Sequence, residues 1–93
     1  MLTQEQKNII LQVLAPFQPS LVGIFGSYAR NEAKKESDLD ILVDLKKKYS
    51  LFDLIDLQEK LSDALHCKID LVTSKAVHPA LKKYIEKDLQ LIA

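Results

Sequence analysis

Two aspartates separated by one residue, Asp38 and Asp40, sit in a stretch that otherwise reads as a β-strand, "SDLDILVDL". Aspartate is disfavoured in strands and costly to bury, so each needs solvent or a cation. Residues two apart on a strand share a face, with Cα atoms roughly 6–7 Å apart, so the two carboxylates can converge on one hard cation or straddle a pair. Mg²⁺ suits them best, because an all-oxygen site with few carboxylates leaves its octahedron open to waters and phosphate oxygens. A third aspartate, Asp70, sits in "KIDLV" and can reach the same place from a neighbouring strand. Three crowded carboxylates repel one another without a metal, and a divalent ion turns that repulsion into binding.

Upstream, Gly26 and Ser27 supply the complementary half. A residue without Cβ lets the backbone approach a ligand, and a helix start offers free N–H groups to phosphate. The serine hydroxyl adds a hydrogen bond to a phosphate oxygen, and Arg30 contributes a cation to phosphate or pairs with a strand carboxylate. A triphosphate fits between these groups. Gly-Ser alone is a weak signal, and Asp-x-Asp alone is used by glycosyltransferases and surface loops as well. In this order, with a third aspartate in the next strand, the set is far more specific.

The elements that must position these residues follow from periodicity. Thr3 with Gln6 reads as a capping box for a helix from Gln4 to about Ala15, stopped by Pro16. "LVGIF", Leu21–Phe25, reads as a buried strand that turns sharply at Gly26. A helix from Tyr28 to about Lys35 is expected next. Then Leu39, Ile41 and Val43 alternate with Asp38, Asp40, Leu42 and Asp44, giving a strand with one core face and one face that starts polar. Asp38 or Ser37 can alternatively cap the turn before that strand, and Asp44 reads as solvated surface. Ser50 and Asp53 can cap a helix bearing Leu51, Leu54, Ile55, Leu61 and Leu65 and ending near His66. Lys68–Val72 reads as a third strand. Pro79 suits the first turn of a closing helix with Leu81, Ile85, Leu89 and Ile92 on one side, and His66 and His78 fall at helix ends.

Composition bounds the rest. The 93 residues, 47% apolar, fit one domain over residues 1–93 with a modest core, so any substrate-binding domain is expected to come from another molecule. Thirteen basic and thirteen acidic residues cancel, giving no charge excess to draw the chain to nucleic acid or an anionic membrane. No apolar run approaches the roughly 20 residues of a membrane span, so a cytoplasmic protein is expected. Cys67 is a lone cysteine and reads as a small packed hydrophobe. Tyr28, Tyr49 and Tyr84 carry no signal beyond packing.

Gly26-Ser27, ten residues, then Asp38-Leu39-Asp40 resembles the nucleotidyltransferase superfamily that includes DNA polymerase β. The short form "GSYAR…SDLDILV", the later "IDLV" and the closing helix resemble its minimal members, the MNT antitoxins encoded beside HEPN toxins, over nearly the whole chain. The resemblance implies an α/β (α+β) fold with a small mixed sheet flanked by helices. Gly26 and Ser27 would hold the nucleotide phosphates, Asp38 and Asp40 would bind Mg²⁺ as two ions, and Asp70 would complete the triad. It also implies AMP transfer from ATP to a tyrosine of a HEPN ribonuclease toxin, in a hetero-oligomer, as the silencing reaction. Two other functions fit the residues: a non-catalytic antitoxin that blocks the toxin by binding, and a nucleotidyltransferase for small molecules. Asn31 departs from the family pattern, standing where a glycine commonly follows the arginine; asparagine tolerates left-handed backbone better than most residues.

Overall fold

A computed structural model describes residues 2–34 and 37–93. The first helix, α1, spans Gln4–Leu14, and the expected capping box is formed: Gln6 N–H donates to Thr3 Oγ1 at 3.1 Å, while Thr3 N–H donates to Gln6 Oε1 at 2.8 Å. Strand β1, Pro19–Phe25, and strand β2, Leu39–Leu45, pair antiparallel with Val22 opposite Val43 and Ile24 opposite Ile41. Helix α2, Leu51–Leu65, carries the chain back to strand β3, Ile69–Thr73, which lies parallel to β2. Helix α3, Pro79–Asp88, and a two-residue strand β4, Gln90–Leu91, complete the fold. The sheet order is β3-β2-β1-β4, mixed as expected.

Period-two alternation divides the sheet. Val22, Leu39, Ile41 and Val43 are wholly buried with Ile10 and Leu14 of α1 and Leu61 of α2, so this face is the core. Asp40 and Leu42 point to the other face, where Leu42 lines a cavity with residues of α3. Helix α2 has the expected cap, with Asp53 N–H donating to Ser50 Oγ at 3.2 Å and Ser50 N–H to Asp53 Oδ2 at 2.8 Å. It ends at His66, whose left-handed backbone (φ 56°) closes the last turn onto the Ser62 carbonyl at 2.9 Å. Its stripe differs from the sequence expectation. Leu57, Leu61 and Leu65 are buried, whereas Leu51 and Ile55, at the helix start, are exposed.

Two expected helices are corrected. In place of a helix from Tyr28 to about Lys35 there is a compact turn through Gly26–Asn31; Lys35 itself lies outside the described residues. The turn begins at Gly26 (φ 74°) and stops at Asn31 (φ 59°), and a right-handed helix cannot pass through left-handed backbone. Asn31 therefore does what the glycine of the family pattern would do. The closing helix also ends before Leu89 and Ile92. Beyond Asp88 the chain extends along the free edge of β1, where Ile92 N–H donates to the Val22 carbonyl at 2.8 Å and Val22 N–H to the Ala93 carbonyl at 3.0 Å. Unpaired edge groups of β1 capture these residues in place of another helical turn.

Candidate active site

Strands β1, β2 and β3 deliver their chemistry to one end of the sheet. Asp40 lies opposite Phe25, the last residue of β1, and in parallel register with Asp70 of β3. Gly26 follows immediately. A Cβ added there would collide with Asp40 Oδ2, so the turn's backbone rests directly on the carboxylate, an approach that only glycine permits at a left-handed position. Three backbone bonds close the turn: Arg30 N–H to the Gly26 carbonyl (3.1 Å), Asn31 N–H to that of Tyr28 (3.3 Å) and Glu32 N–H to that of Ser27 (2.9 Å). The feature expected from a helix start is thus supplied by a single closed turn, with Ser27 half-buried in it.

Asp40 is an electrostatically perturbed carboxyl group. Its pKa is pushed from 3.8 to about 6, first by partial burial, then by the charges of Asp70 and Asp38, with Arg30 pulling the other way and a hydrogen bond to Asp70 favouring the protonated form. Asp38 lies one residue ahead of β2, outside the strand and exposed. Just ahead of it, Ser37 Oγ accepts from Lys34 N–H at 2.8 Å. Asp38 and Asp70 line an open cleft of about 370 Å³ with Gln58, Ser62 and Lys68.

A metal would find partial preparation here. Among the described residues no three His, Cys, Asp or Glu side chains are preassembled to hold a metal ion. The Asp40–Asp70 pair nevertheless fits a hard divalent cation: Asp40, held among like charges, would gain charge compensation from an ion whose remaining positions water and phosphate could fill.

Other expectations are placed as follows. Arg30 does pair with carboxylates, but with Glu32 (Nε to Oε2, 3.1 Å) and Asp88 (Nη1 to Oδ2, 2.7 Å), not with a strand aspartate. Asp44 is half-buried and accepts a hydrogen bond from Ser74 Oγ, so it is not the solvated residue expected. Cys67 is partly buried against the core, its thiol pushed up in pKa chiefly by burial, beside the Tyr28 hydroxyl. His78 caps α3, its Nδ1 accepting from Ala80 N–H at 3.1 Å. Asp88 and Gln90, which reach the turn from the far end of the chain, carried no sequence signal, because nothing in local spacing links residue 30 to residue 88.

Comparison with known proteins identifies the family. The family model for polymerase beta nucleotidyltransferases matches residues 7–93. The protein adenylyltransferase MntA of Thermococcus cleftensis is 36% identical over 94 residues, covering 96% of this chain and 95% of that one. A candidate protein adenylyltransferase of Methanocaldococcus jannaschii is 52% identical over 69 residues, 73% of this chain and 70% of that one. A crystal structure of a toxin–antitoxin with AMP-PNP superposes with a TM-score of 0.84 at 25% identity, covering 94% of this chain and 72% of the matched one. Among the described residues no helix is long and apolar enough to cross a membrane. With Gly26 packed on Asp40, Asp70 in register beside it and the family match running through all of them, the chain belongs to the polymerase beta nucleotidyltransferase family.

Proposed function

We propose that this chain transfers AMP from ATP to a hydroxyl group of a partner protein, and that the partner is a toxin of the HEPN class, silenced by the modification. One observation carries the reading. Asp40 stands in register with Asp70 directly against the backbone of Gly26, so two carboxylates meet beside the turn, an arrangement that a bound cation would compensate. The relatives named as protein adenylyltransferases and the similarity to a toxin–antitoxin with AMP-PNP support the adenine nucleotide and the protein acceptor. The HEPN partner and its tyrosine follow from the family resemblance.

The residues take separable roles. Gly26, Ser27 and the turn's amides hold the triphosphate, with Arg30 adding positive charge. Asp38 and Asp40, joined by Asp70, would hold Mg²⁺, which would supply charge compensation for the attacking and leaving oxygens. Asp70, on the strand farther from the turn, serves the acceptor side and takes its proton. The acceptor oxygen bonds to the α-phosphorus, the bond from that phosphorus to the bridging oxygen breaks, and pyrophosphate leaves with the electron pair. The cytoplasm, rich in ATP and Mg²⁺, is the compartment for this chemistry.

Mixing the chain with the helical protein encoded beside it, Mg²⁺ and each NTP, then weighing both proteins intact, tests the reading. The partner should gain the mass of one or more AMP units with ATP, and tandem fragmentation should place them on tyrosine. A stable complex with no mass added by any NTP would replace this function with inhibition by binding alone.

A further inference from the structure

The turn assigned to the triphosphate is gripped from the far end of the chain. Arg30 Nη1 reaches Asp88 Oδ2 at 2.7 Å, at the last residue of α3, and Gln90 Nε2 donates to the Ala29 carbonyl at 2.8 Å. Consecutive turn residues are thus held by one charge-assisted and one neutral hydrogen bond from the same α3–β4 junction.

That junction is seated firmly on β1. Gln90 and Leu91 pair with Ile24 and Gly23, and a Cβ at Gly23 would stand only 2.6 Å from Leu89 Cδ1. The helix leading into it is lightly held by comparison: α3 buries no residue completely, and Leu81 and Tyr84 are 54% and 73% exposed. The brace therefore joins the site to the least embedded helix of the fold.

We propose that Asp88 and Gln90 are positioning residues for the phosphate turn, and that the seating of α3 thereby sets affinity for the nucleotide. The proposal rests on the reading of Gly26 and Ser27 as triphosphate holders. Amides that must face phosphate bind best when their backbone is fixed beforehand, because ordering them on binding costs affinity. Within the turn itself only the three backbone bonds do this. Arg30 spends two nitrogens on Asp88 and Glu32, and its five N–H donors leave others free for phosphate. The Asp88 contact thus orients this side chain without exhausting it.

The test uses Asp88→Asn, Gln90→Ala, the double variant and Asp88→Glu in the full chain. Amide hydrogen exchange without nucleotide reads the turn directly; calorimetry with ATP and Mg²⁺, and transfer kinetics, read the consequence. Each of the first two variants should speed exchange at Arg30, Asn31 and Glu32 by about three- to tenfold. ATP affinity should fall and KM rise by a similar factor, with kcat held within about twofold and Asp88→Glu restoring the parent values. Exchange in β2 and α2 stays at parent levels if the fold is intact. Unchanged exchange of the turn in the double variant overturns the brace, and a loosened turn with unaltered ATP affinity overturns its role in binding. If the parent binds no ATP, the reading of the site fails, while the exchange data still decide whether the junction holds the turn.

Discussion

The two faces of the central sheet are built from the same strands and serve opposite purposes. On one, Val22, Leu39, Ile41 and Val43 are sealed without solvent contact under α1 and α2. On the other, Asp40 and Leu42 alternate with them, Leu42 facing the lightly buried α3 and Asp40 standing beside Asp70. Because side chains alternate, β2 can bury Leu39, Ile41 and Val43 on one face while turning Asp40 to the other. The price is local: Asp40 sits half-buried among like charges, a penalty that a bound cation would relieve.

Substitutions on the two faces should therefore separate activity from stability. The largest effect belongs to the charged face. Asp40→Asn is expected to reduce transfer to a partner by on the order of 10²–10³-fold, as for loss of a group that compensates charge in the transition state, with the fold intact by circular dichroism. Next comes Ile41→Ala, one residue along the same strand but facing the core. Its wholly buried side chain predicts a loss of roughly 2–5 kcal/mol in denaturant unfolding. ATP affinity of the fraction that remains folded should stay near parent. A variant at Ile41 that lost nucleotide binding at full stability would break the division between faces.

How much of this division was legible in sequence differs between the faces. The alternation in "SDLDILVDL" and the caps Thr3–Gln6 and Ser50–Asp53 are local patterns and predicted their elements, although the strand starts only at Leu39 and leaves Asp38 outside it. The register that sets Asp70 against Asp40 was anticipated only as adjacency of strands. What was hidden is non-local or conformational. The turn at 26–31 resembles a helix in composition, and only the left-handed backbone of Gly26 and Asn31 stops it. Leu89 and Ile92 continue a helical stripe in sequence, but the open edge of β1 recruits the end of the chain as a strand. The exposed start of α2, with Phe52 82% accessible, follows from where the helix meets the sheet, which helical periodicity does not encode.

A smaller effect sharpens the comparison within the charged face itself. Ser27→Ala removes one hydroxyl from the turn while leaving Gly26 packed on Asp40. ATP binding measured by calorimetry should weaken by roughly 1.5–3 kcal/mol, the range for a hydrogen bond to a charged group. Asp70→Asn, across the register, should instead keep ATP affinity near parent and lose transfer. Equal loss of ATP binding in both variants would show that the turn and the strands act as one site without an acceptor side.

The smallest expected effect is the penalty carried by Asp40, read through pH. Its folded pKa of about 6 lies above the ordinary 3.8, so the folded state binds the proton more tightly than the unfolded chain does. The sign follows: this group favours folding fully below about pH 4, and the contribution is lost as pH rises through 6. Partial exposure screens the interaction, so the difference amounts to on the order of 1–2 kcal/mol. Without metal, the stability of the parent relative to Asp40→Asn should therefore fall between pH 5 and pH 7.5, by urea unfolding of both proteins in the same buffers. Adding Mg²⁺ at pH 7.5 should recover part of the loss in the parent alone, because a cation that binds the native carboxylates stabilises the native state by mass action. If the parent and Asp40→Asn show the same pH dependence, and Mg²⁺ stabilises both equally, the open face carries no electrostatic penalty and the cation finds its ligands elsewhere.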